Sequence, residues 1–357
     1  MLVPWRPWST RERLAPATAR VDVDLHDVTV IIPARNEALH IADTLRTLAQ
    51  QGHGLRVIVI DDQSTDGTER EARSVTELTP TILRGAPLPT GWSGKLWALE
   101  QARRFVRTPY TLALDADILL SPGIVAVVRE KLNHERLDMV SLMATPCMHS
   151  ALEKFSMPAF VYFFKLLYPF GLSNSRSSRI AAAAGGFLLV RTSMLDTIDA
   201  FESLKGELID DCALARKIKC AGGDIWLGLS HAVKSQRRNQ KLSELWRMIS
   251  RTAFTQLRYS IFALCVCTIT MLIAFVIPLL AVTSAHAGTR VVGGIALFTM
   301  MLSYFPIVKF YQRSPAWVLS LPFAALLYLA MTWGSAIGYW RGRRASWKGR
   351  VYREETL

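Results

Sequence analysis

The sequence predicts a doubly wound α/β sheet that is followed by transmembrane helices, and two observations carry this prediction. In the first part of the chain, short β-branched and aliphatic runs alternate with stretches of helical periodicity, which is typical of a parallel sheet covered by helices. After residue 260, charged residues almost vanish over long stretches, as membrane-spanning helices require. The 357 residues also exceed the usual length of one domain, so we expect at least two regions.

The chain opens with a segment, residues 1–27, that we predict to lie at a membrane interface. It contains Trp5, Trp8 and several arginines, among them Arg6 and Arg11. Tryptophan and basic side chains are enriched where protein meets the headgroup layer of a bilayer. We therefore expect this segment to contact lipid.

Three buried strands are predicted, and each is followed by polar or acidic residues. The run VTVII at residues 28–32 precedes PARNE, and the run RVIVIDD ends at Asp61 and Asp62. A third run, YTLALDAD, ends at Asp115 and Asp117. Continuous apolar runs are typical of strands that are buried on both faces. Because ligands of such sheets bind beyond the carboxyl ends of the strands, we expect these acids to line a ligand crevice.

Helices are predicted between these strands and after them. Ile41, Leu45 and Leu48 recur at helical spacing after the first strand. A polar helix is expected from Glu69. Further along the chain we predict a helix over residues 97–105, a helix beginning at Pro122 and a strand over residues 138–144.

An apolar stretch at residues 155–172 is interrupted by Pro158, Lys165 and Pro169. It is too broken for a membrane span, which needs about 20 mostly apolar residues. It is either an ordinary core helix or an interfacial helix that lines the path of an apolar acceptor. Its position ahead of the long apolar segments favours the interfacial interpretation.

The long apolar segments are residues 261–283, 291–308 and 317–339, and each must be helical if it lies in hydrocarbon. A basic interfacial helix (236–260) precedes them and a basic tail (341–357) follows. Three spans would place these basic flanks on opposite faces, whereas the positive-inside rule favours the same face for both. We therefore expect two or three spanning helices, with one of the last two segments re-entrant or interfacial if there are two.

The excess of 42 Lys and Arg over 29 Asp and Glu gives a net charge of +13. No helix-turn-helix, zinc-finger or RNA-binding pattern accompanies this charge, so we do not expect nucleic acid as a partner. Basic residues next to apolar spans are typical of contact with anionic lipid headgroups. The flanking residues are Arg237, Arg238, Lys241, Arg247, Arg251 and Arg258 before the spans, and Arg341, Arg343, Arg344, Lys348 and Arg350 after them.

The acidic residues at the strand ends are candidate ligand contacts. Asp115 and Asp117 could hold a divalent cation while leaving coordination positions for diphosphate oxygens, and such hard oxygen ligands suit Mg²⁺ or Mn²⁺. A turn or helix cap is the alternative for this pair. Asp61 or Asp62 could accept a hydrogen bond from a base or a ribose, unless it caps the following turn.

A second acidic pair, Asp210 and Asp211, lies near the predicted start of a later helix. A carboxylate there could deprotonate an acceptor hydroxyl. The alternative is that acids are favoured in a first helical turn by the helix dipole. The small residues AAAAGGF, which end with Gly185, Gly186 and Phe187, could let a substrate approach the backbone, although a tight turn would explain them as well.

Taken in order, VTVIIPARNE, VIVIDDQSTDGT, GWSGKLWAL, LALDADI, GGF and ELIDDCAL resemble glycosyltransferase family 2, the inverting GT-A class, over residues 28–258. GWSGKLWAL and RTAFTQLRYS look like the hopene-associated branch of that family. The resemblance implies a GT-A catalytic domain at residues 28–235, with a Rossmann-like mixed sheet. It also implies C-terminal membrane helices.

The resemblance assigns roles to residues that match the family's motifs. Asp211 matches the base, although Asp210 stands where the family has glutamate. Arg251 matches an arginine of the processive members, but no tryptophan follows it, which favours a single transfer over polymer synthesis. The other matches are Pro33, Arg35, Glu37, Asp62, Lys95 and Asp115 for nucleotide-sugar binding, Asp115 and Asp117 for the metal, and Gly185, Gly186, Phe187 and Arg251 on the acceptor side.

The expected activity is transfer of a sugar from a nucleotide-diphosphate donor, with UDP favoured, to the hydroxyl of a hopanoid or another isoprenoid lipid. A divalent cation, Mg²⁺ or Mn²⁺, would be needed. We expect a multi-pass protein of the cell inner membrane with a cytoplasmic catalytic domain. The alternatives are a polyprenyl-phosphate glycosyltransferase and a non-catalytic, membrane-anchored protein that binds nucleotide sugars.

Overall fold

The computed structural model describes residues 4–16, 23–342, 346–347 and 350–351. Its contacts divide the described residues into two compact units. The sheet unit contains residues 12–16, 23–146 and 170–237 and the two short C-terminal strands. The helical unit contains residues 4–11, 147–169 and 238–342. Residues 147–169 thus belong to the helical unit, whereas the predicted catalytic range of 28–235 ran through them without a break.

The sheet unit is built on one eight-stranded sheet, and a separate pair of two-residue strands follows near the C-terminus. The strands are β1 (Val28–Ala34), β2 (Arg56–Asp61), β3 (Thr81–Arg84), β4 (Tyr110–Leu114), β5 (Ile118–Leu120), β6 (Met139–Thr145), β7 (Phe187–Arg191), β8 (Ile225–Ser235), β9 (Ser346–Trp347) and β10 (Arg350–Val351).

The large sheet is mixed, with the strand order β3-β2-β1-β4-β7-β6-β8-β5. β1 runs parallel to β2 and β4, and β2 runs parallel to β3. β7 is antiparallel to both β4 and β6, and β5 is antiparallel to β8. The carboxyl ends of β1, β2 and β4 therefore meet at one edge of the sheet, and the acidic residues that follow β2 and β4 lie at this edge.

Helices cover both faces of this sheet, and the residues of β1 and β4 are buried throughout. The helices of the sheet unit are α1 (Ile41–Ala49), α2 (Thr68–Arg73), α3 (Gly94–Arg103), α4 (Ile124–His134), α6 (Phe170–Ser173), α7 (Thr192–Thr197) and α8 (Asp210–Cys220). α5 belongs to the other unit. The spacing that predicted α1 is confirmed, because Ile41, Leu45 and Leu48 are all buried.

Two predicted helix starts were wrong by a few residues. α3 begins at Gly94 and not at residue 97, because the Ser93 side chain accepts a hydrogen bond from the Leu96 N–H and caps the helix early. α4 begins at Ile124 and not at Pro122, because Gly123 adopts a left-handed conformation (φ of 80°) that cannot be part of the helix and stands at its N-cap.

The helical unit contains α5 (Ala151–Leu167), α9 (Leu242–Ser250), α10 (Ala253–Gln256), α11 (Ile261–Met271), α12 (Ile277–Ala281), α13 (Ala287–Phe310) and α14 (Leu321–Trp340). Three of its helical stretches are long and apolar enough to cross a membrane: Ile261–Ala281, Ala287–Phe310 and Pro315–Trp340. The first joins α11 and α12 through a π-helical turn. How many of these three helices cross a bilayer stays a prediction.

α5 packs among these long helices and is continuous through Pro158, which does not break it. The Tyr162 hydroxyl lies 2.8 Å from the Ser303 hydroxyl, and the Tyr328 hydroxyl donates to the Ser156 carbonyl at 3.0 Å. The Phe163 ring packs against Phe275 and Tyr328. α5 is thus a structural member of the helical unit.

The basic segment before the spans folds as α9 and α10. Trp246 of α9 packs directly on Gly334 of α14, where an added Cβ would come within 2.7 Å of the indole ring. Of the predicted basic tail, Arg343, Arg344 and Lys348 lie outside the described residues.

Candidate functional site

The loop after β1 is tied to the turn that follows β2. A guanidinium nitrogen of Arg35 donates to the main-chain carbonyl of Asp62 and lies 3.8 Å from the carboxylate of the same residue. The Glu37 N–H donates to the Thr68 hydroxyl at 2.8 Å. Pro33 lies within β1, in register with Ile60 of β2. These contacts hold the PARNE loop at the carboxyl edge of the sheet.

The two acids at the end of β2 lie in different environments. Asp61 caps the turn, because its Oδ1 accepts a hydrogen bond from the Ser64 N–H at 3.1 Å. The Asp62 side chain is almost completely buried, with 1% exposed, beside Arg35. Of the pair, Asp62 therefore remains the candidate for contact with a base.

Lys95, near the start of α3, links three other parts of the site. Its ammonium lies 2.7 Å from Oδ1 of Asp115 and 3.8 Å from Oδ2 of Asp210, and it donates to the Gly185 carbonyl at 3.3 Å. Burial alone would lower the pKa of Lys95, but Asp115 and Asp210 outweigh it, and the net shift is upward. Lys95 therefore stays protonated and serves as a fixed positive charge.

Asp117 is buried, and its Oδ2 is held by the end of β8. The Ser235 hydroxyl donates to this oxygen at 2.8 Å, and Nε of Arg237 lies 3.5 Å from it. Burial raises the pKa of Asp117, but the Arg237 guanidinium and the Ser235 hydroxyl more than compensate, and the net pKa lies below the usual value. Asp117 is therefore ionised at neutral pH.

Asp211 lies in the first turn of α8 with its carboxylate fixed by two main-chain groups. The Gly185 N–H donates to Oδ2 at 2.8 Å, and the Cys212 N–H donates to Oδ1 at 2.7 Å. Burial, and then the negative charge of Asp210, raise the pKa of Asp211 to about 6, although Lys95 and the two main-chain bonds oppose the shift. Asp211 is thus a stronger base than an ordinary carboxylate.

Gly185 is required by the close approach of the chain to these groups. A Cβ at this position would lie 3.2 Å from Oδ2 of Asp211 and 3.3 Å from Nζ of Lys95. Behind the charged groups is a cavity whose apolar wall includes Leu96, Leu188 and Leu214. This wall removes water from one side of the carboxylates, which is why burial leads the pKa shift of Asp211.

The residues present fit a divalent cation. Oδ1 of Asp115 is held by Lys95 and Oδ2 of Asp117 by Ser235 and Arg237, and within the described residues no group hydrogen-bonds the second oxygen of either carboxylate. Burial, and further Asp117 and Asp210, raise the pKa of Asp115 despite the nearby Lys95. Carboxylates here outnumber basic groups: Glu37, Asp115, Asp117, Asp210 and Asp211 against Lys95 and Arg237.

In the described ranges, no three His, Cys, Asp or Glu side chains form a complete metal cage. Mg²⁺ and Mn²⁺ do not need one, because one or two carboxylates, water and substrate phosphates suffice. Asp115 and Asp117 are the residues that would hold the ion.

Two of the residues predicted for the acceptor side, Phe187 and Arg251, lie in different surroundings. Phe187 is fully buried in the core of the sheet unit, where β7 pairs with β4, so its ring is not available to an acceptor. The pattern GGF does not reveal which way the third side chain points, so the sequence gives no indication of this burial. Arg251 is exposed and lies in the helical unit, between α9 and α10.

One site residue was assigned to the wrong environment. Arg237 was counted among the basic residues that flank the membrane segments, but it belongs to the sheet unit and contacts Glu37 at 3.0 Å as well as Asp117. The pairing of β8 with β5 brings it there, and that antiparallel pairing leaves no local sequence signal.

Residues 29–199, just under half of the chain, match the family model described as "Glycosyl transferase family 2". The 4,4'-diaponeurosporenoate glycosyltransferase of Staphylococcus aureus (strain bovine RF122 / ET3-1) is 37% identical over 91 residues, which are 26% of this chain and 24% of the relative. The protein of the same description from Staphylococcus haemolyticus is 32% identical over 94 residues, 26% of this chain and 25% of the relative. The matches thus span about a quarter of these relatives.

Among solved structures, a mannosyltransferase from Pyrobaculum calidifontis, in complex with GDP-Man and Mn²⁺, matches with a TM-score of 0.53 and 18% identity. The match covers 89% of this chain and 88% of that protein. This likeness concerns the fold, and it confirms the predicted GT-A architecture with its mixed sheet.

Proposed function

We propose that this chain, which carries a glycosyl transferase family 2 domain in residues 29–199, is a membrane-bound inverting glycosyltransferase that acts on a lipid. The donor is a nucleoside-diphosphate sugar, and the acceptor is the hydroxyl of a hopanoid or another isoprenoid lipid. The observation that carries the proposal is the cluster of Lys95, Asp115 and Asp211 at the strand ends, in a chain with three helices long enough to cross a membrane.

The donor is bound at the carboxyl ends of β1, β2 and β4. Arg35 and Asp62 are placed to contact the base and ribose, and Lys95 brings a positive charge toward the diphosphate. The Pyrobaculum mannosyltransferase was solved with GDP-Man, while the sequence resemblance favours UDP. Both nucleotides therefore enter the test below.

The acceptor hydroxyl is activated by Asp211. Its carboxylate accepts the hydroxyl proton as the oxygen attacks the anomeric carbon. The N–H groups of Gly185 and Cys212 fix the plane of this carboxylate, and Lys95 limits its basicity. Because a single displacement occurs at one carbon, an α-linked donor gives a β-linked product.

Departure of the nucleoside diphosphate requires that its growing negative charge be neutralised. A divalent cation on Asp115 and Asp117 would supply that charge when bound, and the Pyrobaculum protein was solved with Mn²⁺. This chain's own contribution is to hold the two carboxylates through Lys95, Ser235 and Arg237.

A lipid acceptor is supported by the membrane-length helices and by the relatives, which are named for 4,4'-diaponeurosporenoate. We place the sheet unit at the cytoplasmic face of the cell inner membrane, where nucleotide sugars are made. Basic residues of α9 and its flanks, such as Arg247 and Arg251, suit anionic headgroups there.

The test is turnover by the full chain, in detergent, of radiolabelled UDP- and GDP-sugars with extracted lipid. We expect label in the lipid fraction, and absence of turnover with every donor would favour a non-catalytic nucleotide-sugar-binding protein. Asp211→Asn distinguishes transfer to a lipid hydroxyl from the alternative, transfer to a polyprenyl phosphate. It should reduce transfer to a hydroxyl by about 10²- to 10⁴-fold, whereas transfer to a polyprenyl phosphate, which is already an anion, should change little.

A further inference from the structure

Arg237 bridges two buried carboxylates that are far apart in sequence. One terminal guanidinium nitrogen lies 3.0 Å from Oε1 of Glu37, and Nε lies 3.5 Å from Oδ2 of Asp117. The Glu37 and Asp117 side chains are 7% and 8% exposed, whereas that of Arg237 is 48% exposed. A half-exposed cation thus joins two carboxylates that are almost closed to water.

The backbone around Arg237 reinforces this arrangement. The Gln236 N–H donates to the Asp117 carbonyl at 2.8 Å, and the Arg237 N–H donates to the Ser235 hydroxyl at 3.2 Å. The same hydroxyl donates to Oδ2 of Asp117. The Ser235 hydroxyl and the Arg237 guanidinium thus fix one carboxylate oxygen of Asp117, and no group of the described residues hydrogen-bonds the other.

The Glu37 end of the bridge reaches the donor loop. The Glu37 N–H donates a hydrogen bond to the hydroxyl of Thr68, the first residue of α2. A movement of Glu37 would therefore break this bond or move the start of α2 with it. Arg237 therefore connects the loop after β1 with the carboxylate that follows β4. These are the two segments that a nucleoside diphosphate and its cation would contact together.

We propose that Arg237 is a positioning residue that sets the affinity of Asp117 for the divalent cation and couples it to the donor loop through Glu37. The inference rests on the proposed function. The guanidinium and the Ser235 hydroxyl hold Oδ2 of Asp117 in one orientation, so that its second oxygen is available to the ion. Groups that orient metal ligands in this way contribute about 10- to 100-fold to metal affinity.

The test is calorimetric titration of Mn²⁺ into the full chain in detergent, with UDP and, separately, with GDP present. Arg237→Gln should weaken Mn²⁺ binding by about 10- to 100-fold. The Mn²⁺ concentration for half-maximal turnover should rise by the same factor, with kcat recovered at saturating Mn²⁺. Arg237→Lys should bind Mn²⁺ more tightly than Arg237→Gln and less tightly than the wild type. Lysine keeps the positive charge but cannot hold both carboxylates with the fixed geometry of a guanidinium.

Controls separate positioning from general loss of structure. Arg238→Gln removes the neighbouring exposed arginine and should bind Mn²⁺ like the wild type.

The double variant Glu37→Gln/Arg237→Gln should bind Mn²⁺ no more weakly than Arg237→Gln alone, because either substitution removes the same ion pair between Arg237 and Glu37. If Arg237→Gln does not fold, Ser235→Ala removes the other donor to the same oxygen and should weaken Mn²⁺ binding in its place.

Two negative results have different meanings. Wild-type Mn²⁺ affinity in folded Arg237→Gln would overturn the inference and leave the proposed function intact. If the wild-type protein binds no Mn²⁺ with either nucleotide, the proposed donor site itself fails, and the inference fails with it.

Discussion

The Asp211 carboxylate is held by the N–H groups of Gly185 and Cys212, next to Asp210 and above an apolar wall. Burial and the neighbouring carboxylate make it more basic, and the fixed N–H groups decide its orientation. A general base needs both properties, because an unoriented carboxylate loses the geometric part of the rate enhancement.

This environment predicts a pH dependence. Since burial and Asp210 raise the pKa of Asp211 to about 6, the carboxylate becomes protonated, and useless as a base, as the pH falls below that value. We expect kcat/KM for a hydroxyl acceptor to fall about tenfold per pH unit on the acid side. The profile is measured with the lipid acceptor at constant ionic strength. A rate that is flat from about pH 5 to 7 would remove Asp211 as the base.

Gly185→Ala tests the close approach at the same position. Its Cβ would press on Asp211 and Lys95 at 3.2 and 3.3 Å, so one of them must move by a few tenths of an ångström. We expect kcat to fall by about tenfold or more, because small misplacements of catalytic groups are costly, while UDP or GDP binding persists. Gly288→Ala, where a Cβ meets nothing within 4 Å, is the matched control. Full activity of Gly185→Ala would mean that the loop adapts freely.

At the scale of elements, α5 has two different faces. Phe163 and Phe164 are both partly buried, but Phe163 packs on Phe275 and Tyr328 of the long helices. The ring contacts of Phe164 are with Phe160 and Tyr168 of its own segment. Leu167, one turn further along the helix, is 50% exposed. The exposed apolar face of α5 is thus the part that can meet a lipid.

We therefore predict different outcomes for two neighbouring charge substitutions in α5. Phe164→Asp should reduce transfer to lipid strongly and leave donor binding intact, because a charge on an apolar path costs several kcal/mol, about 2–7 for a polar group alone. Phe163→Asp should instead lower the melting temperature of the protein, since it buries a charge in an aromatic cluster. Calorimetry with nucleotide and a lipid-transfer assay separate the two. Normal transfer by folded Phe164→Asp would exclude α5 from the acceptor path.

The contact between the first two long helices depends on one glycine of α13. A Cβ on Gly293 would lie 2.6 Å from Cβ of Ala281 and 3.0 Å from main-chain atoms, whereas a Cβ on Gly294 would meet nothing within 4 Å. Small residues allow such backbone approach between membrane helices.

Gly293→Ala should destabilise the helical unit by about 1–3 kcal/mol through overpacking. Gly294→Ala should be neutral, or stabilising by up to about 1 kcal/mol through helix propensity. Thermal unfolding in detergent compares the two adjacent substitutions directly. Equal melting temperatures would contradict the tight contact between these helices.

At the scale of the whole molecule, local patterns predicted the elements that local physics determines. The strands β1, β2 and β4 were predicted because they are buried on both faces and read as continuous apolar runs. The acids that follow β2 and β4 were assigned to a ligand crevice because ligands of parallel sheets bind beyond the carboxyl ends of the strands. The long apolar helices were found in the same way, from length and composition.

What the sequence could not reveal depends on pairing between distant segments. β8 joins β6 and β5 late in the chain, and only that pairing brings Arg237 to Glu37, 200 residues away in sequence. The burial of Phe187 and the packing of α5 among the long helices also arise from tertiary contacts. Pro158 lies inside α5, where it removes one main-chain hydrogen bond, and the helix continues through it.

Transfer of label by the full chain in nanodiscs, with a donor panel and extracted lipid, tests the proposed activity most directly. We predict that Mg²⁺ or Mn²⁺ supports transfer of sugar into the organic-soluble fraction, with inverted anomeric configuration in the product. We also predict that Asp117→Ala abolishes this transfer while the protein stays folded and inserted. Full transfer in excess chelator, retention of configuration, or a water-soluble sugar as the better acceptor would contradict a metal-assisted, inverting transfer to lipid.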